Sequence, residues 1–209
     1  MNLGERQTLV STLLRDASRT GPLPFLRGWL RNPMGVGLPF PSSPWTARRL
    51  ARAALDTAIP GGGPVLELGA GTGAVTQALI DLGCLVQHIV AVEQDAELCR
   101  SLEQRFPGLQ VLHGDALALS RTLARSGPSS ARAVISGLPM RAIPSAAATR
   151  CYGDAFAVMP PGGAIIQYTY GMQPPVDPRA AEPAFDATFV GREWRNFPPM
   201  GIWRYRVAD

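Results

Sequence analysis

Residues 65–79 read VLELGAGTGAVTQAL, and the fold turns on how that stretch is parsed. A short apolar run ends in three glycines spaced two apart, Gly69, Gly71 and Gly73, and a helical pattern follows. A strand, a glycine turn and a helix start form the opening unit of a doubly wound α/β sheet. Outward from it the alternation continues. Strands are expected at 64–68, 88–92, 109–112, 133–136 and 163–169, and helices at 73–83, 95–105, 116–126 and 145–158. Strands and helices in that rhythm imply a mostly parallel sheet. The tail changes character. FDATFVGREWRNF (185–197) and GIWRYRV (201–207) are two β-like runs around PPM, read as an antiparallel hairpin on one edge. GMQPPVDPRAAEP (171–183) is too rich in proline for regular structure and reads as a surface loop.

Upstream of the glycine turn lies a different kind of sequence. RQTLVSTLLRDASR (6–19) and PFLRGWLRNP (24–33) place apolar residues on one helical face with arginines beside it. A third helix is expected over 45–58, with Trp45, Leu50, Ala54 and Ala58 as its core side. PGGGP (60–64) then separates an amphipathic arm over 1–59 from a domain over 60–209. All 20 basic residues are arginine, and their excess is local. Residues 1–59 hold eight arginines against three acids, a net +5; residues 60–209 hold twelve against thirteen, a net −1. A basic arm points to a polyanionic surface. A content of 46% hydrophobic and 17% charged residues excludes a mainly disordered chain. Three scattered cysteines without CxxC spacing argue against a zinc site and fit a reducing compartment. No apolar run is long enough to span a bilayer, so any membrane contact is peripheral.

Three signals carry chemistry. Gly69, Ala70, Gly71 and Gly73 let backbone approach a ligand, and the helix behind them offers free N–H groups. Glu67 precedes the turn, and a carboxylate there suits a cationic ligand better than phosphates. Glu93, ending the second strand ahead of Gln94, is placed to accept the two hydroxyls of a ribose. Asp115, after the third strand and before Ala116, is placed to accept from an adenine amine. An adenosine without phosphate but with a positive charge is S-adenosylmethionine. The turn is G-x-G-x-G and not the G-x-G-x-x-G of dinucleotide sites.

Residues 64–73, Glu93 and Asp115 resemble the class I methyltransferase superfamily, which implies a seven-stranded Rossmann-like sheet. Within it, residues 64–139 are similar to ribosomal RNA adenine dimethyltransferases, whose fourth strand ends in an Asn-Leu-Pro-Tyr type motif that holds and stacks the flipped base. Here the strand ends Ser136-Gly137-Leu138-Pro139-Met140. The Leu-Pro is kept, but carboxamide and ring are lost, which argues against a nucleobase. FLRGWLRNPMGVGLPFPSSP (25–44), VISGLPM (134–140), PPGGAIIQYTYG (160–171) and REWRNFPPMGIWRYRV (192–207) resemble the bacterial phospholipid N-methyltransferases. That resemblance implies methylation of phosphatidylethanolamine and its mono- and dimethyl derivatives towards phosphatidylcholine, with S-adenosylhomocysteine as by-product. It also implies attachment to the inner face of a bacterial membrane through the N-terminal segment.

The expected site follows. Glu67, Gly69, Ala70, Gly71, Gly73, Glu93, Gln94, Asp115, Ala116, Ser136 and Gly137 hold the cofactor. Tyr168, Tyr170 and Ser136 are the catalytic candidates. Arg27, Trp29, Arg31 and Arg195 meet the lipid; no metal is expected. Expected partners are a phospholipid and an anionic membrane surface, with no nucleic acid and a monomeric chain. Two other readings are an RNA adenine N6-methyltransferase using the arginines on phosphates, and a non-enzymatic membrane-binding scaffold.

Overall fold

Serine 43 and proline 44 decide where the first described helix begins. The Ser43 side chain accepts the Thr46 N–H at 3.3 Å, and Pro44 occupies the first turn, where a missing N–H costs nothing. The computed structural model describes residues 43–177, 184–195 and 199–207. In chain order it contains α1 (Pro44–Thr57), β1 (Val65–Leu68), α2 (Ala74–Asp81), β2 (Ile89–Glu93), α3 (Ala96–Arg105), β3 (Gln110–His113), α4 (Leu119–Ser126), β4 (Ala133–Ser136), α5 (Ser145–Ala157), β5 (Ile165–Thr169), β6 (Phe185–Glu193) and β7 (Met200–Val207).

One seven-stranded sheet runs β3-β2-β1-β4-β5-β7-β6. Strands β1 to β5 are parallel, and β7 lies antiparallel between β5 and β6. The expected mostly parallel Rossmann-like sheet with a C-terminal hairpin and a helical N-terminal extension is therefore what forms. Strand order reverses beside β1, so the crevice for a ligand opens over the carboxyl ends of β1, β2 and β4. A bulge between Phe189 and Gly191 breaks the register of the edge strand β6.

Period-two alternation sends side chains to two cores. Leu66, Leu68, Val90, Val92, Val134 and Ile165 pack with Leu119 and Leu123 of α4 and with Tyr152 and Phe156 of α5. On the other face, Val65, Ile89, Ala91, Ile135 and Ile166 meet Leu50 and Ala54 of α1, Leu79 of α2 and Leu102 of α3. Residues 44–57, read from the sequence as part of an arm, thus contribute to the domain's core.

Two local expectations are corrected. The buried side of α1 is Thr46, Ala47, Leu50, Ala51, Ala53 and Ala54, while Trp45 is 51% exposed and Ala58 lies past the helix end. Five residues separate Trp45 from Leu50, about 140° around a helix with 3.6 residues per turn, which turns the indole away from the sheet. The segment 116–126 is not one helix: Ala116–Ala118 is a tight 3-10 turn, and α4 starts at Leu119. Among the described residues, no helix is long and apolar enough to cross a membrane.

Candidate active site

The glycine turn after β1 is built from left-handed backbone. Gly69, Gly71 and Gly73 have φ of 71°, 56° and 79°, values that side chains rarely tolerate. Gly71 faces open space, with no atom within 4 Å of where a Cβ would sit. Gly69 instead meets the loop after β4. A Cβ there would lie 2.8 Å from Leu138 Cδ2, and a Cβ on Gly137 would lie 2.7 Å from the Gly69 carbonyl oxygen. Both glycines are needed for the two halves of the sheet to close on each other at the switch point.

Glu93 ties this turn to the next one. Its carboxylate is buried and accepts three backbone N–H groups: Gly71 at 2.8 Å, Gln94 at 2.8 Å and Asp95 at 3.0 Å. Its own carbonyl accepts the Gly114 N–H at 2.9 Å. One residue therefore links the loops after β1, β2 and β3. Asp115 caps the tight turn that follows, accepting the Leu117 N–H at 2.8 Å, and the Ala116 carbonyl takes the Cys151 thiol. The Gln94 carboxamide is buried, and neither its oxygen nor its nitrogen has a hydrogen-bond partner among the described residues. Such a group, at the carboxyl end of β2 where the sheet's strand order reverses, fits a ligand that supplies the missing contacts.

Glu67 is 2% exposed and accepts the Thr76 hydroxyl at 2.6 Å. Burial pushes its carboxyl up to about 7, against the opposing Thr76 hydrogen bonds. The stability tied to the neutral form is complete below the ordinary carboxyl value of 4.5 and is lost as pH climbs through about 7. A cationic ligand in the cleft favours the carboxylate and so expels a proton. Calorimetric titration with S-adenosylmethionine at pH 7, in two buffers of different ionisation enthalpy, is expected to show release of up to about half a proton. Glu67→Gln is expected to remove the buffer dependence; a parent without such dependence would mean that the carboxyl keeps one charge state throughout.

Of the residues expected at the acceptor, the structure brings Ser136, Gly137 and Tyr168 together. Tyr168 is nearly buried, and its hydroxyl donates to the Gly137 carbonyl at 3.1 Å. Burial raises its phenol well above the ordinary range, which keeps the hydroxyl protonated. The Tyr170 ring stands edge-on to it, with centroids 6.5 Å apart. Ser136 is wholly buried, and its Oγ accepts the Leu138 N–H at 3.4 Å, so it holds the loop from beneath. Arg195 lies at the hairpin end of β6, exposed, with its guanidinium 4.4 Å from the centre of the Trp45 ring. Arg27, Trp29 and Arg31 lie outside the described residues. Motif reading missed Gln167, Tyr152 and Thr76. The one available signal was a glutamine inside the apolar run IIQYT. No group of three or more potential metal ligands occurs among the described residues.

Residues 65–163 match the family model described as a methyltransferase domain. The chain is 30% identical over 182 residues to an ornithine lipid N-methyltransferase of Singulisphaera acidiphila, covering 86% of this chain and 92% of that protein. It is 48% identical over 58 residues to ribosomal RNA small subunit methyltransferase A of Synechococcus sp., but this spans only 26% of the chain and 20% of that enzyme. Six further relatives carry the same ribosomal RNA name. Among solved structures, the glycopeptide N-methyltransferase MtfA in complex with S-adenosylmethionine superposes with a TM-score of 0.56 at 15% identity, over 78% of this chain and 94% of that one. The expectation of a phospholipid and an anionic membrane as partners, with nucleic acid excluded, is corrected by these relatives. Seven of them are named for ribosomal RNA, and none for a phospholipid.

Proposed function

The chain belongs to the class I S-adenosylmethionine-dependent methyltransferases, and from that premise we propose that it methylates an amine nitrogen presented beside the Gly137 carbonyl and the Tyr168 hydroxyl. The cofactor supplies an electrophilic methyl group on a positively charged sulfur. The protein's own residues supply the rest. Glu93 and the left-handed turn hold the cleft's shape, Gln94 offers an unspent carboxamide, and Glu67 provides compensating negative charge. Around the acceptor, the oxygens at hand are hydrogen-bond acceptors. The Tyr168 hydroxyl spends its proton on Gly137 and keeps lone pairs for an amine N–H. That arrangement aligns a neutral amine for in-line displacement, with its lone pair free.

The acceptor's class rests on the relatives. The RNA adenine reading has seven named relatives behind it and is better backed than phosphatidylethanolamine, which has none. It is kept as the second reading. The first reading is an amine-bearing lipid of the ornithine lipid kind. The single observation that carries it is the likeness running through 86% of the chain, where the RNA enzymes match between 26% and 44% of it. The loop Ser136-Gly137-Leu138-Pro139-Met140 offers neither a carboxamide nor a ring for a flipped base.

One experiment separates these. The protein is incubated with methyl-labelled S-adenosylmethionine and, in parallel, with ornithine lipid vesicles, phosphatidylethanolamine vesicles and small-subunit ribosomal RNA. Label in ornithine lipid is expected. Label confined to RNA would replace the first reading by the second, and label in none of the three would remove the amine acceptor altogether.

A further inference from the structure

The loop after β4 is stapled by side chains that belong to no cofactor motif. Gln167 is completely buried in β5, between Ile166 and Tyr168. Its Nε2 donates to the Leu138 carbonyl at 3.0 Å and to the Tyr168 carbonyl at 2.9 Å, and its Oε1 accepts the Tyr152 hydroxyl at 2.9 Å. Tyr152 is itself completely buried in α5. Ser136 Oγ accepts the Leu138 N–H. The contacts run from Tyr152 through Gln167 to the Leu138 carbonyl, while Ser136 holds the N–H of the same residue.

Burying a carboxamide costs free energy unless its groups are paired, and a strand buried on both faces has no need of one. Ile165 and Ile166, the two residues before it, show what the sheet itself asks for. The polar residue serves the loop. Leu138 is also the residue whose side chain abuts Gly69, so the position of this loop sets the distance between cofactor turn and acceptor oxygens.

We infer that Gln167 is a positioning residue for the acceptor site: by anchoring the Leu138 carbonyl it holds the Gly137 carbonyl and Tyr168 hydroxyl where the acceptor amine must arrive. This rests on the amine reading proposed above. Gln167 does not touch the acceptor. It acts through the loop, and the cofactor turn is fixed separately by Glu93.

The test uses Gln167→Met, which keeps the length and removes both donors. The acceptor is whichever of ornithine lipid vesicles or small-subunit ribosomal RNA the parent protein labels. The variant is expected to bind S-adenosylmethionine within about twofold of the parent by calorimetry. Its acceptor KM is expected to rise about tenfold, with a several-fold lower kcat per folded molecule. A variant with lowered melting temperature but parental KM and kcat would make Gln167 purely structural and overturn the inference. Should Gln167→Met fail to fold, Tyr152→Phe takes its place. It keeps the ring packed against Phe185 and Tyr205 and removes only the hydroxyl from Oε1. A rise of about threefold in acceptor KM is then expected, and an unchanged KM overturns the inference. A parent that labels neither acceptor removes the amine reading itself, a different failure from an insensitive variant of an active parent.

Discussion

Glu93→Ala is expected to weaken S-adenosylmethionine binding by about a hundredfold or more, close to 3 kcal/mol. Two losses add. The charged acceptor proposed for the cofactor's ribose hydroxyls disappears, at about 1–3 kcal/mol. The N–H groups of Gly71, Gln94 and Asp95 also lose their common partner, which frees the turn that the cofactor must find already formed. The same loss is expected to lower folding stability by about 3 kcal/mol, because backbone donors at a buried site become unpaired. Calorimetric titration and urea denaturation read the two effects separately. Glu93→Gln preserves the shape and one acceptor oxygen, and should fall between parent and Ala. Parental affinity in the Ala variant would strip Glu93 of its ribose role.

The second large effect concerns Gly73. Its φ is 79°, and an added Cβ would lie 2.5 Å from Phe106 Cε2 and 2.8 Å from Leu102 Cδ2. Backbone strain of about 1–3 kcal/mol and overpacking of about 1–3 kcal/mol both apply, so Gly73→Ala is expected to lose about 2–6 kcal/mol of stability. Gly71→Ala is the matched control. Its backbone is also left-handed but nothing crowds the new methyl group, so only the strain remains. That methyl would project into the cleft, and affinity for the cofactor should suffer more than stability. Equal urea midpoints for the two variants would show that Phe106 and Leu102 yield without cost.

The two halves of the site were not equally visible in the amino-acid order. The cofactor half is written in local chemistry: glycines where φ must be positive, and acids that end strands and then cap the next turn. Those properties survive in a string of letters, and the strand limits expected around them differ from the observed ones by a residue or two. The acceptor half is assembled by distant partners. Nothing near Gln167 announces that its donors serve a carbonyl 29 positions earlier. Ser136 reads as a residue that binds the cofactor or orients the amine, and its wholly buried hydroxyl accepting the Leu138 N–H is a contact no motif announces. Trp45 reads as core because indoles usually are, but alanines at 47, 51 and 54 let the helix lie too close to the sheet for a large ring on that side. Arg195 then covers the displaced ring.

The kink in β6 has a consequence beyond this chain's own packing. A sheet whose outermost strand is straight offers unpaired amides and carbonyls to any extended peptide that drifts past, including another molecule of the same sequence. Here the outer strand is interrupted at Gly191, whose φ is 151°, and the Arg49 side chain lies across that glycine, close enough to meet any methyl group placed on it. An incoming strand would lose its register halfway along and run into a guanidinium. Growth of the sheet into a fibril from this border is thereby discouraged, at the expense of one irregular residue.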